Sequence, residues 1–365
     1  MRWWHFAGIV AVLAIALIIA SQPAGPKMNE TNAPVVQKEV KILVFDENGN
    51  EINAHVWRKG IYWCAEGDGF LSDCAREENG IVRITLMRDP AEKDVRVELK
   101  NCAFMAYAPV GVPLTGPVPC GEIKIRPGRY VFAFFDGNGA IIGRKEVFIE
   151  GERGIEAEGN TTGTPVRIRT FDEGTGKEMN AWVSFEGIAL WGEDVPVNVK
   201  NCETIHAWAE GHKIMDAYVC PGDEENVTLP RQVNGGTLIV SAPGAERIII
   251  TDRNASVYTV VSGEEASLTD VPPGVYTVFA VNGAAVSKKT VDVDAGQRII
   301  SIEGIRGRAT IETEKRVQIF AMGEKIAEGS GKIEVPARTI LHVVILENPP
   351  REERVVLLPG EVRTV

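Results

Sequence analysis

The sequence predicts an all-β protein, a series of tandem antiparallel β-sandwiches that follows one apolar amino-terminal helix. Three observations carry this prediction. Short apolar–polar alternations recur along the chain, with Gly and Pro punctuating it nearly every ten residues. Beyond the amino terminus there is no convincing run of helical periodicity. The chain also repeats itself: VKILVFDENGNEINAHV (40–56) matches VRIRTFDEGTGKEMNAWV (166–183), and DVRVELKNC (94–102) matches DVPVNVKNC (194–202). Similarity spread in this way marks a duplicated structural unit.

Composition agrees with a folded chain. Of 365 residues, 44% are hydrophobic and 24% charged, as in globular rather than disordered proteins. The net charge of −11 argues against a nucleic-acid partner, which calls for a basic footprint. Abundant Glu, Lys, Arg and Val with little Gln gives the composition a thermophilic look.

Residues 1–22 hold Met-Arg and then the apolar run WWHFAGIVAVLAIALIIA, ending at Ala20. Its length sits between a signal peptide and a spanning helix. Trp3 and Trp4 suit a membrane interface, and Arg2 favours an amino terminus held inside. The expectation is a membrane anchor through residues 3–20, or a signal cleaved after Ala20. Either exports the rest, as a single-pass protein with an extracellular carboxy-terminal part or as a secreted one. Residues 23–36, polar and dotted with Pro23, Pro26 and Pro34, read as a tether.

The six cysteines fit export. Cys102 and Cys120 are eighteen residues apart, as are Cys202 and Cys220, while Cys64 and Cys74 fall in a stretch found only in the first copy. Pairs that appear or are absent together predict the disulfides Cys64–Cys74, Cys102–Cys120 and Cys202–Cys220, bonds that persist outside the cytoplasm. No CxxC or nearby Cys/His quartet supports zinc instead.

Four modules are expected, at 37–158, 163–232, 233–304 and 305–365. In the second, Val166, Ile168 and Thr170 alternate with Arg167, Arg169 and Phe171, which puts the first set on a buried face. Asp-Glu-Asn-Gly-Asn (46–50) and Asp-Glu-Gly-Thr-Gly (172–176) supply turns between strands. Strand TLIVS (237–241) is expected to open the third module, although it could close the second. PGRY (127–130) and PGVY (273–276) begin matching strands, whereas Ala337-Arg338-Thr339 stands where the last module should show Gly-x-Tyr.

The strand, Asp-x-x-Gly turn, Asn-Ala-x-Val strand and later Pro-Gly-x-Tyr resemble carboxypeptidase-regulatory-like and collagen-adhesin B-type domains. The last two modules resemble PEGA domains. This resemblance implies prealbumin-like or immunoglobulin-like sandwiches, common as surface stalks and spacers. The adhesin family's internal Lys–Asn bond would need an inward-facing Lys, but Lys41 lies opposite the Val40, Ile42, Val44 face.

No residue set points to catalysis, a cofactor or a metal. The five His are scattered, and neither GxSxG, HExxH nor a phosphate loop occurs. His206 and His212 flank Ala-Trp-Ala-Glu-Gly without a third ligand spaced to join them. Asp46-x-Asn48-x-Asn50 has calcium-loop spacing but carries Glu51 at the glycine position and Trp57 at the twelfth, so a hairpin turn is expected. The most individual stretch is IYWCAEGDGFLSDC (61–74). Tyr62, Trp63, Glu66, Asp68 and Phe70 on a stapled loop could grip a sugar or a protein, or the rings could cap a small core. Sequons at Asn29, Asn160, Asn226 and Asn254 fit a glycosylated exported surface.

The resulting expectation is a membrane-tethered extracellular repeat protein, not an enzyme, with a structural or adhesive role in the cell envelope. Its partner would be an envelope protein or polysaccharide. Two alternatives are a receptor that binds through loop 61–74 and a surface-filament subunit that exchanges strands through 34–40 or ERVVLL (353–358).

Overall fold

The computed structural model describes residues 40–159, 163–253, 256–305 and 307–365. The expected anchor, the tether, and sequons Asn29, Asn160 and Asn254 lie outside these residues. The described residues form no helix, and none therefore is long and apolar enough to cross a membrane.

The third sandwich along the chain shows the plan. Strand Thr164–Asp172 lies between antiparallel Asp194–Val199 and parallel Glu224–Leu229 in a three-stranded sheet. A four-stranded layer, ordered Ile188–Gly192, Ala181–Phe185, Glu203–Trp208, Met215–Val219, completes the unit. Val166 and Ile168 have no exposed surface and Thr170 is buried beside them, while Arg167 and Arg169 face out. The period-two pattern of the sequence is thus the pleat of a sheet covered on one side.

The same seven-strand order recurs three more times. In the second sandwich Val95–Lys100 lies between Glu122–Ile125 and the parallel Arg153–Glu156. In the fourth, Gly236–Ser241 lies between Glu265–Val271 and the parallel Gln297–Ser301, so TLIVS opens this unit and does not close the one before. In the fifth, Arg308–Ala321 and Glu324–Pro336 are long enough to serve both layers. Their pairing shifts register between Thr313 and Val317, and Val362–Thr364 runs parallel to the first part. The first sandwich is smaller. Lys41–Phe45 pairs with parallel Ile81–Thr85, and His55–Lys59, Tyr62–Glu66 and Asp73–Arg76 form its second sheet.

Two expectations change. Residues 37–158 hold two sheet pairs, not one module. The second repeated phrase joins strands that are not equivalent, since Val95–Lys100 is central in its sheet and Asp194–Val199 is at an edge. The cysteines still do matching work. Cys102–Cys120 links the two crossings between sheets on either side of Phe104–Pro109 and Leu114–Pro119. Cys202–Cys220 links the two crossings on either side of Glu203–Trp208 and Met215–Val219.

The units are not beads on a string. Leu114–Pro119 of the second pairs in parallel with Ile188–Gly192 of the third, making one eight-stranded sheet. The fourth unit packs onto it through Ile249, Val257, Phe279 and Val281, while Ile248, Ile250 and Val278 fill the fourth unit's own core. Ile248, Ile249 and Ile250 all have no exposed surface, so RIIIT (247–251) is apolar without alternation because its sheet is covered on both faces.

Candidate functional site

The stapled stretch is a hairpin, not a free loop. Cys64 and Cys74 are direct cross-strand partners in Tyr62–Glu66 and Asp73–Arg76, joined by a disulfide. Tyr62, Trp63 and Phe70 are half-buried, neither sealed in a core nor free on the surface. Each ring is also met by an arginine. Arg76 lies 4.9 Å from the Tyr62 ring centre and donates to its hydroxyl at 2.7 Å. Arg58 lies 5.7 Å from Trp63, and Arg88 lies 5.2 Å from Phe70. These cation–π contacts occupy faces on which a sugar would otherwise stack. Glu66, Asp68 and Phe70 line a shallow groove with Asn53 and His55.

The other side of this hairpin faces the fifth sandwich. Asp73, 3% exposed, accepts from Arg354 Nη2 at 2.7 Å and lies 3.1 Å from His342 Nε2. Its Oδ1 also accepts the Cys74 N–H at 2.8 Å. His342 Nδ1 is 2.9 Å from Glu352. The Asp73 hydrogen bond, with help from Glu352, raises the His342 pKa against the opposing effects of burial and Arg354. Alongside, Arg338 Nη2 donates to Asp89 at 2.6 Å, and Lys59 pairs with Glu324 at 2.9 Å. Gly323, at φ +77°, lies flat against the Tyr62 ring; a Cβ there would sit 2.8 Å from ring atoms. The first and last sandwiches are thus clasped by ion pairs between residues 249 to 281 positions apart in sequence.

No signal in the sequence named this clasp, apart from one anomaly. The fifth unit breaks the Pro-Gly-x-Tyr pattern at Ala337-Arg338-Thr339, and Arg338, at φ 50°, is the residue that reaches Asp89. Where the pattern is kept, the tyrosine closes its own sandwich. Tyr130 donates to the Arg126 carbonyl at 2.9 Å, and Tyr276 donates to the Pro272 carbonyl at 2.8 Å. Burial pushes both phenols far above their ordinary pKa.

The remaining candidates are structural in their contacts. Asp46 Oδ1 accepts the N–H groups of Asn48 and Asn50 at 2.9 and 2.8 Å, and Oδ2 accepts from the Asn50 side chain, as expected of a turn. Asp136 and Asp252 repeat the device toward Ala140 and Ser256. His212 Nε2 lies 3.0 Å from Asp172, and this bond, with those of Thr175, holds the Asp172 carboxyl at about 2. His206 Nδ1 lies 2.6 Å from Asp216 on the next strand, so the two histidines serve separate partners. Among the described residues no group of three His, Cys, Asp or Glu is placed to hold a metal ion. Ser184, the cross-strand neighbour of His206, accepts the Val257 N–H at 3.1 Å and ties the third unit to the fourth. Lys41 is exposed, and Asn226 lies on the exposed face of Glu224–Leu229.

No protein-family model matches the chain, and no curated protein does. Among solved structures, the chain is similar to the Bacillus anthracis TIE protein at 11% identity, covering 97% of this chain and 78% of that one, with a TM-score of 0.17. A putative adhesin from Bacteroides ovatus is 9% identical over 58% of this chain and 92% of its own, with a TM-score of 0.16. The four amino-terminal Ig domains of Dscam1 isoform 4.44 are 10% identical over 87% and 98%, with a TM-score of 0.14. Scores of this size carry no inference about this chain, whose all-β architecture stands on its own strand pairing.

Proposed function

We propose that this is an exported β-sandwich repeat protein, held at the membrane by its amino-terminal segment, with a structural or adhesive role in the cell envelope. The observation that carries the reading is the cysteine chemistry. All six cysteines are paired in three disulfides, a state kept outside the reducing cytoplasm. Shared cores and the clasp between first and last units support a stiff body more than a pliable receptor. In its own host the protein should sediment with membranes, resist carbonate extraction and be cleaved by protease added to intact cells. Recovery from the cytosol, protected from that protease, would overturn the proposal.

The groove beside Phe70 favours a second reading, a receptor for an envelope protein or polysaccharide that binds through Glu66, Asp68 and Phe70. The arginines over the three rings weigh against stacking with sugars. A glycan array that lit up for the wild type and went dark for Phe70→Ala would restore it. The filament reading has less support at its carboxy-terminal strand. Arg351–Val355 is an edge, but Arg351, Glu352 and Glu353 guard it and Arg354 is drawn into the clasp.

A further inference from the structure

Four of the five sandwiches hold their first strand between two neighbours, and the first sandwich does not. Lys41–Phe45 has parallel Ile81–Thr85 on one side, and among the described residues no strand lies along the other. The ladder fixes which groups are open. Lys41 N–H donates to the Gly80 carbonyl at 3.0 Å, and the Phe45 carbonyl accepts from Leu86 at 2.8 Å. Odd residues therefore face Ile81–Thr85, and Ile42 and Val44 turn their backbone groups outward. The Val44 carbonyl is taken by Ile52 N–H at 3.0 Å, as the Thr170 carbonyl is taken by Met179 N–H at 2.9 Å in the third unit. There the likeness ends. Thr170 N–H reaches the Glu193 carbonyl at 3.2 Å and Ile168 pairs with Val195, whereas among the described residues Val44 N–H and both backbone groups of Ile42 meet no partner. Ile168 has no exposed surface, but Ile42 is only half-buried.

We propose that this edge is an interface with a second copy of the chain, two Lys41–Phe45 strands pairing antiparallel about a two-fold axis at Ile42. Such a pair is self-complementary, since each Ile42 N–H meets the second copy's Ile42 carbonyl. It also reproduces the missing neighbour. The axis sets the second copy's Lys41 opposite Leu43 and its Ile42 opposite Ile42. In the third unit Asp194 and Val195 hold the corresponding places, opposite Arg169 and Ile168. The incoming strand starts at the right residue, for this strand begins at Lys41 as its counterpart begins at Asp194. Because the contact uses one patch on both copies, it closes as a dimer and does not propagate as a filament. The proposal stands apart from whether the chain is exported.

The test uses the full chain in detergent. Wild type should sediment as a dimer at high concentration and a monomer on dilution, and amide exchange at Ile42 and Val44 should slow as the dimer fills. Ile42→Pro removes the outward N–H without touching the ladder to Ile81–Thr85, a placement edge strands tolerate. It should weaken dimerisation roughly a hundredfold, at about tenfold for each of two lost hydrogen bonds. Exchange in the wild type needs no substitution, so it decides the matter even if Ile42→Pro unfolds. A monomer at every concentration, or protection of Ile42 that does not depend on concentration, would overturn the proposal. So would a folded Ile42→Pro chain that dimerises as well as wild type.

Discussion

Replacing Arg354 by Met tests whether the clasp between first and last sandwiches stabilises the fold. Arg354 donates to a carboxylate, Asp73, that is 3% exposed. A hydrogen bond to a charged group is worth about 1.5–3 kcal/mol, and breaking a buried pair from one side costs about 3–5 kcal/mol. The Arg354 side chain is 30% exposed and His342 remains beside Asp73, so the lower part of that span applies. The expected loss is about 2–3 kcal/mol. Asp73→Ala should cost less, about 1–2 kcal/mol, because the cations it abandons can both reach water whereas an abandoned carboxylate cannot. The double variant should reveal a coupling of about 1–2 kcal/mol. Urea unfolding followed by tryptophan fluorescence and far-UV circular dichroism measures all three. Single costs under about 0.5 kcal/mol with no coupling would refute the argument, reducing the pair to an ordinary surface contact.

Two further outcomes follow from the same geometry. The raised His342 pKa means its contribution is complete below the ordinary histidine value and is lost as pH rises through the raised one. Melting temperature should therefore fall as pH rises above the ordinary histidine value and through the raised one, and His342→Gln should flatten that part of the profile. A profile unchanged by His342→Gln would place the pH dependence elsewhere. Tyr276→Phe and Tyr130→Phe each delete one hydrogen bond that closes a sandwich corner, and each should lower stability by about 1 kcal/mol in urea titrations. Two unshifted midpoints would show that those hydroxyls do no more than fill space.

Much of the fold was legible because strands covered on one side write their pleat into the sequence. Val166, Ile168 and Thr170 announce a buried face, and Asp46 to Asn50 announces a turn. The RIIIT run carries the opposite message, a strand covered on both sides, though not what covers it. Other features leave no local trace. DVRVELK and DVPVNV read alike because both alternate valine with other residues, and alternation alone cannot tell a central strand from an edge strand. For that reason alternation does not reveal that residues 37–158 hold two sheet pairs. The stapled stretch looked like a loop because its strands are short and glycine-rich between Glu66 and Phe70. The clasp was invisible because Asp73, Asp89, Arg338 and Arg354 are single polar residues whose partners lie far along the chain.

The measurement that bears most directly on the proposed function is the state of the cysteines in the protein's own host. Cells would be quenched with acid and alkylated before any reductant is added, and the protein would be mapped by mass spectrometry beside a cell-surface protease digest. Three linked peptide pairs, Cys64–Cys74, Cys102–Cys120 and Cys202–Cys220, are expected in protein that the external protease destroys. Six alkylated thiols in protein that survives the digest would contradict it.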